Sequence, residues 1–420
     1  MTNRKLRPYQ VSGIEQLMAI TRQRHAALLA DEPGLGKTIQ VAGYINRTLP
    51  KSVIIVCPAS LRLNWDNELT TWLDYENLVE WHCEILSYEA VASGKNRRDY
   101  YDLAVFDEAH YLKNTAAKRT KACFSINAGN KLFLTGTPVV NRPMEMFPIL
   151  KACGLKLNKT DFGKRYCGGR LVPIKFRPVK KYAWDFSGAS NISELNAALR
   201  KSVMVRRTKK EVLADLPQKI RQIVELESTL PESESLRSAV NAMFDGFTSA
   251  AANIKELQKV AFEELAKARL DIARAKLPYV LRFAEDILEE ENKLVIFAYH
   301  REIVDAIAEH FALSAVKLYG GMTDKQKNDA VVAFQQGTTK VFVGQITAAG
   351  TGLTLTAAHT VLFAELDWVP GNIIQCEDRC HRFGQTEPVR VFHITCRESV
   401  DARMVKALVD KQKTIESVTA

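Results

Sequence analysis

The sequence ALLADEPGLGKTIQVAGYI, residues 27–45, decides the fold. An apolar run ends at Asp31, a glycine-rich turn holds Gly34, Leu35, Gly36, Lys37 and Thr38, and a helical pattern continues to Leu49. Strand, turn and helix in that order let backbone N–H groups and a helix N-terminus cradle phosphate oxygens. In that role Lys37 reaches the outer phosphates and the Thr38 hydroxyl is a ligand for Mg²⁺. Asp31 stands where the general pattern has its first glycine, and the same residues also fit a turn that only caps a helix.

The surrounding sequence repeats the strand-then-helix rhythm. HAALLA (25–30), SVIIVCP (52–58), LAVFDE (103–108) and KLFLTGTP (131–138) are short apolar runs separated by helical patterns. KLVIFAYH (293–300), AVKLYG (315–320), KVFVG (340–344), TVLFAEL (360–366) and VRVFHIT (389–395) restore the rhythm later, with a helix expected over 324–336. Buried strands alternating with helices predict an α/β fold with a parallel sheet in each of two lobes. From about 228 to 291 strand patterns stop and Ala, Glu, Lys and Leu dominate, which predicts helices. The expected domains are therefore 1–220, a helical insertion and linker over 221–291, and 292–420. Residues 156–190, with several Gly, Pro and basic residues, read as a loop or small protrusion of the first lobe.

The bulk numbers agree with this picture. A chain of 420 residues with 46% apolar and 25% charged residues suits two or three ordinary globular domains. The formal charge of +10 suits a polyanionic partner or a solvated basic surface. Eight cysteines without a CxxC pair point to free thiols. Cys376, Cys380 and His381 lack the further ligands a metal site needs. MTNRKLRPYQ has no apolar leader core, and no apolar run reaches the roughly 18 residues of a membrane span, so an intracellular, soluble protein is expected.

Asp107 and Glu108 end the third apolar run. A strand-end carboxylate can hold Mg²⁺, and its neighbour can orient or deprotonate an attacking water. An acid pair that caps the next helix has the same appearance. Far along the chain, QCEDRCHRFGQ (375–385) places Arg379 and Arg382 three apart, on one face if the segment is helical. Such arginines can neutralise charge on a reacting phosphate, and paired arginines are as readily solvated or salt-bridged.

Together these residues resemble the Swi/Snf-type DNA translocases among the superfamily-two helicase-like ATPases, over nearly the whole chain. LRPYQ (6–10) is similar to the adenine-reading Q motif, ADEPGLGKTIQ (30–40) to motif I, VCPASLRLNW (56–65) to motif Ia and LSYE (86–89) to motif Ib. DEAHYLKN (107–114) resembles motif II, LTGTPVVN (134–141) motif III, and RRTKKEVLADLP (206–217) the segment closing the first lobe. LVIFAYH, LYGGMT (318–323), ITAAGTGLTLTAA (346–358) and DWVPGNIIQCEDRCHRFGQ (367–385) resemble motif IV, the element after it, motif V and motif VI. Asp31 is ordinary at its position in that family, whereas Cys376 replaces a small residue. The CPASLRLNW and ELDWVPG forms lean towards the annealing-helicase, fork-remodelling subfamily.

The resemblance implies two RecA-like lobes and ATP with Mg²⁺ as cofactors. It implies ATP contacts from Gln10, Gly34, Leu35, Gly36, Lys37, Thr38, Gly352 and Gln375, with metal at Thr38 and Asp107. Lys37, Asp107, Glu108, Arg379 and Arg382 become the catalytic set. Pro58, Ala59, Ser60, Ser87, Lys113, Asn114, Thr347, Gly350 and Thr351 become contacts to a DNA backbone, although any one Ser or Thr could instead cap a helix. Trp368 could meet DNA or pack within its lobe. The basic clusters 97–98, 180–181 and 206–210 could add affinity or be solvated. The implied activity is ATP-driven translocation on duplex DNA, forked DNA included, with strand separation on DNA or RNA as the alternative. Targeting would come from other proteins, and the absence of accessory modules leans towards a bacterial or viral setting with a cytoplasmic location.

Overall fold

In a computed structural model of the chain, residues 5–78, 80–95, 98–136, 143–173, 182–213, 215–226, 255–349, 353–367, 369–397, 399, 402 and 405 are described. They form two compact units, one built on Met1–Ala214 and the other on Asp215–Thr414.

The first unit holds β1 (Ala26–Leu29), β2 (Ser52–Cys57), β3 (His82–Ser87), β4 (Tyr101–Phe106), β5 (Ala128–Leu134), a separate hairpin of β6 (Arg170–Pro173) and β7 (Tyr182–Asp185), and the short β8 (Met204–Val205). Its sheet runs β3-β2-β4-β5-β1-β8 with every pairing parallel. β1 and β2 are buried along their whole length, because helices cover both faces. One face packs Leu28, Ile54, Val56, Phe106 and Phe133 into a core, and the other packs Leu29, Val53, Ile55, Val105 and Leu134. Successive residues serve opposite faces, as the two-residue period of a strand requires.

The second unit holds β9 (Lys219–Leu226), β10 (Leu294–Ala298), β11 (Ala315–Leu318), β12 (Val341–Gln345), β13 (Thr360–Phe363) and β14 (Val389–Cys396). Its order is β11-β12-β10-β13-β14-β9, again entirely parallel. The helix expected over 324–336 spans Asp324–Gln336, closed at its start by a capping box between Thr323 and Gln326.

One expectation about organisation changes. The segment 221–291 is not wholly a helical insertion, because β9 is an edge strand of the second sheet and pairs with β14 along eight residues. KIRQIVEL intersperses charged and polar residues among its apolar ones, so it does not show the continuous apolar run of a central strand. The helix Lys255–Glu290 buries Ala273, Val280 and Ala284 against β10 and β12 and so belongs to that lobe's own core. Residues 227–254 of the expected helical segment lie outside the described residues. The stretch read as a loop or protrusion contains the helix Lys159–Tyr166 and the β6–β7 hairpin.

Candidate nucleotide site

All six strands of the first sheet are parallel, so the loops after their C-terminal ends gather on one edge. That edge receives Pro58–Ser60 after β2, Ser87 ending β3, Asp107–Asn114 after β4, Gly136 after β5 and the glycine loop after β1.

The loop enters the helix Lys37–Thr48 through Gly36, with φ of 72°. A Cβ there would lie 2.6 Å from the Gln10 amide nitrogen, so glycine serves both the left-handed turn and the close approach. Gln10 is buried, accepts the Arg7 N–H at 3.0 Å and donates to the Leu35 carbonyl at 3.4 Å. Tyr9 donates to the same carbonyl at 3.3 Å. The helix Pro8–Arg24 is thereby tied to the glycine loop.

Asp31 sits in the middle of that tie. It is fully buried and takes a bidentate pair from Arg207, Nε at 3.1 Å and the terminal nitrogen at 2.6 Å. The Arg207 backbone N–H adds 2.9 Å and Gln40 donates at 2.9 Å. Arg207 also donates to Gln40 at 2.7 Å and to the Tyr9 carbonyl. Arg206 reaches the Ala30 carbonyl at 2.7 Å, and the Lys209 N–H donates to Glu32 at 2.7 Å. A bidentate carboxylate–guanidinium pair satisfies the buried charge that a lone Asp31 would leave. Asp31 therefore locks the loop to residues 206–209, which explains an acid where a simple phosphate loop has glycine. Lys37 donates to the Asp31 carbonyl at 2.9 Å and lies beside Gly136.

On the next strands, Asp107 is buried and held from several sides. Its Oδ2 accepts the Trp65 indole N–H at 2.9 Å, its Oδ1 accepts the Glu108 N–H at 2.9 Å, and its carbonyl accepts the Tyr88 hydroxyl at 2.7 Å. Burial, reinforced by the charge of Glu108, raises the Asp107 carboxyl above its ordinary range, while Trp65 and Lys37 oppose the rise. Glu108 occupies the left-handed region, φ 50° and ψ 51°, an uncommon conformation for a residue with a side chain. His110 Nδ1 stands 3.3 Å from its Oε2.

The glycine loop with Lys37 and Thr38 and the buried Asp107 carboxylate lie at the same edge of the sheet, and a hydroxyl and a carboxylate are hard-oxygen donors. The donor set fits Mg²⁺ with a nucleotide triphosphate. Sequence reading does not find Trp65 or Tyr88 as supports of Asp107, because they lie 42 and 19 residues away. Outer partners of this kind orient metal ligands. Trp65→Phe should raise the Mg²⁺ concentration for half-maximal turnover about 10-fold, the size expected for such partners. Nucleotide binding measured without metal should not change. Mg²⁺ titrations of turnover and of fluorescent-nucleotide binding check this, and an unmoved midpoint would show that the indole does not orient Asp107.

Among the backbone-contact residues, Ser87 caps the helix Tyr88–Ala92 through Ala90 N–H at 3.1 Å. Asn114 closes a turn with the Ala116 N–H at 2.9 Å. Lys113 lies 3.6 Å from Glu145. Pro58 precedes the turn Ala59–Leu61, and Thr347 is exposed on the short helix after β12. Gly350, Thr351, Gly352 and Trp368 lie outside the described residues, as do Arg97, Lys180–Lys181 and 137–141 of the motif III stretch.

In the second unit the helix Pro370–Glu377 ends before the two arginines, so they do not share a helical face as expected. The backbone tightens after Asp378, with Arg379 N–H bonding the Cys376 carbonyl and Cys380 N–H the Glu377 carbonyl. Glu377, fully buried, takes Lys219 at 2.8 Å and Arg221 at 2.7 Å from β9, and against the effect of burial those cations hold its carboxyl down to about 2. The guanidinium groups still converge. Arg379 donates to the carbonyls of Gln375 at 2.9 Å and Leu353 at 3.3 Å, while Arg382 donates to Leu353 at 2.7 Å and the Thr354 hydroxyl at 3.0 Å. Cys376 is buried, 3.6 Å from the Ile346 carbonyl.

The comparisons with known proteins give one consistent result. The SNF2-related domain matches residues 9–270, and the helicase conserved C-terminal domain matches residues 276–384. The chain is 31% identical to the Xenopus tropicalis SWI/SNF-related matrix-associated actin-dependent regulator of chromatin subfamily A-like protein 1, over 98% of this chain and 44% of that protein. It is 31% identical to the human DNA annealing helicase and endonuclease ZRANB3, over 95% of this chain and 39% of that protein. It thus spans less than half the length of these curated relatives. A solved Sulfolobus solfataricus SWI2/SNF2 ATPase core in complex with dsDNA is 23% identical with a TM-score of 0.44, covering 99% of this chain and 93% of that one. These two curated relatives are animal proteins and lend the bacterial or viral setting no support. Among the described residues, no helix is long and apolar enough to cross a membrane.

Proposed function

This chain belongs to the SNF2-related family of helicase-like ATPases, and from that premise we propose that it moves along duplex DNA by hydrolysing ATP. The observation that carries the reading is the C-terminal edge of the first sheet, where a glycine loop opens the helix Lys37–Thr48 and the buried Asp107 follows β4.

In this reading the Gly34–Thr38 backbone cradles the phosphates and Lys37 neutralises the outer ones. Thr38 and Asp107 hold Mg²⁺, which when bound supplies charge stabilisation. Glu108 orients the attacking water and takes its proton. Gln10 serves the base end, and Gly352 and Gln375 serve the nucleotide from the second lobe. Arg379 and Arg382 add positive charge to the reacting phosphate. Pro58, Ala59, Ser60, Ser87, Lys113 and Asn114, with Thr347, Gly350 and Thr351, hold the DNA backbone without reading sequence. The relatives' printed names, which include a DNA annealing helicase, favour DNA over RNA.

Turnover measured with duplex DNA, forked DNA, single-stranded DNA and duplex RNA tests the proposal. Duplex or forked DNA should stimulate most, and apparent DNA affinity should fall with a steep log–log dependence on salt. Best stimulation by RNA would replace the reading with RNA strand separation. A flat salt response would rule out a phosphate-backbone grip.

A further inference from the structure

The turn that carries the two arginines is gripped by two different parts of the second unit. Glu377, Asp378 and His381 bind the start of β9. Arg221 donates to Glu377 through Nε at 2.9 Å and a terminal nitrogen at 2.7 Å. Lys219 Nζ lies 2.8 Å from Glu377 and 3.1 Å from Asp378, and the His381 ring stands 2.8 Å from the Pro217 carbonyl. The residues interleaved with these, Arg379 and Arg382, bind elsewhere, and both donate to the Leu353 carbonyl. One tight run of backbone joins the two grips, with the Cys380 and His381 N–H groups both on the Glu377 carbonyl.

The β9 side of this clamp is fixed. Lys219 and Arg221 are alternate residues of the strand and so share a face, and β9 is held in register with β14 along eight residues. The acids are buried, Glu377 completely. His393 on β14 lies 3.8 Å from Glu377, but burial pushes its imidazole down to about 4, so it is neutral near pH 7. The charge that compensates Glu377 therefore comes from β9.

Stability alone does not call for such a cluster, because buried ion pairs rarely outperform apolar residues of similar volume. What a paired buried charge can fix is geometry. The two guanidinium groups converge on one carbonyl although they repel each other, so the backbone behind them must be held. Lys219 offers Glu377 a point charge, whereas the planar fork of Arg221 sets distance and orientation together.

We propose that Arg221 is a positioning residue for the reaction: its fork on Glu377 fixes the turn 377–381 and with it the aim of Arg379 and Arg382. The inference rests on the charge-supplying role given above to those arginines and names the strand residue that directs them.

The test compares the full chain with Arg221→Gln, Arg221→Lys, Arg382→Ala and the double variant of Arg221→Gln with Arg382→Ala. Lys219 stays opposite Glu377 in all of them, so the buried acid keeps a partner. Arg221→Gln should lower DNA-stimulated kcat about 30-fold, inside the roughly 10²-fold that a displacement of about 1 Å can cost. KM for ATP and duplex affinity should stay within about 2-fold of wild type. Arg221→Lys keeps the charge without the fork and should regain only a small part of the rate. Added to Arg382→Ala, Arg221→Gln should cost less than about 3-fold more, because one of the groups it directs is already gone. A merely structural strut predicts that the two losses multiply and that duplex affinity falls with the rate, and either result overturns the inference. Wild-type turnover in Arg221→Gln, or full recovery by lysine, overturns it as well. Should glutamine unfold the chain, Arg221→Lys decides alone: a kcat loss of about 5-fold or more at unchanged KM and duplex affinity supports the inference, and anything else overturns it. Normal turnover by Arg382→Ala is a different failure, since it removes the arginines' role itself and this inference with it.

Discussion

Glu108→Gln should abolish nearly all turnover, by about 10³-fold, and leave ATP binding intact. Positioned general bases contribute roughly 10²–10⁴-fold, and in the proposed role Glu108 also orients the nucleophile. The geometry singles Glu108 out from its neighbour. Asp107 is held by the Trp65 indole and the Glu108 backbone N–H, an arrangement for a fixed metal ligand. Glu108 leaves the strand through a left-handed backbone turn at φ 50° and has His110 at 3.3 Å. Strained backbone of this sort persists where the surroundings require it. Glutamine keeps size and polarity but cannot take a proton, so the structure should hold while the chemical step fails. Single-turnover hydrolysis beside fluorescent-nucleotide titration separates the two effects. Turnover within about 3-fold of wild type would move the base to another residue. Lost nucleotide affinity would make Glu108 part of the binding site.

Particular residues show how much of this was legible in the sequence. Apolar runs such as SVIIVC became strands because parallel strands buried on both faces must be apolar throughout. No apolar run announces β3, because HCEILS is a half-buried edge strand whose Glu84 pairs with His82. β8 is two residues long and follows a helix without a break in composition. The glycine loop, Asp107 and Glu108 could be read from local spacing. The Asp31–Arg207 pair joins residues 176 apart, and only the β1–β8 pairing brings them together. The hairpin lies in a stretch expected as a loop or small protrusion, because Gly, Pro and basic residues mask its two short strands. The arginine spacing suggested a shared helical face, but buried acids at Glu377 and Asp378 draw the chain towards β9 and the helix stops.

The arginines also provide a sharp test of the second lobe's role in the reaction. Arg382→Ala should lower turnover by about 10³-fold without weakening ATP binding, within the range for an arginine that stabilises phosphoryl-transfer charge. A purely structural role makes a different forecast. Arg382 donates to the Leu353 carbonyl and the Thr354 hydroxyl, so it also ties the motif VI stretch to the motif V stretch. If that tie were its only task, Arg379, which donates to the same Leu353 carbonyl, would partly compensate, and DNA binding would suffer along with turnover. A charge-supplying arginine should cost turnover with and without DNA alike, leaving DNA affinity near wild type. Arg382→Lys adds a control. Lysine keeps the charge but lacks the planar fork of donors, so it should recover only a small part of the rate. Full recovery by lysine, or an alanine variant hydrolysing ATP normally, would leave the first lobe's lysine and carboxylates as the whole catalytic set and reduce Arg382 to a strut between two loops.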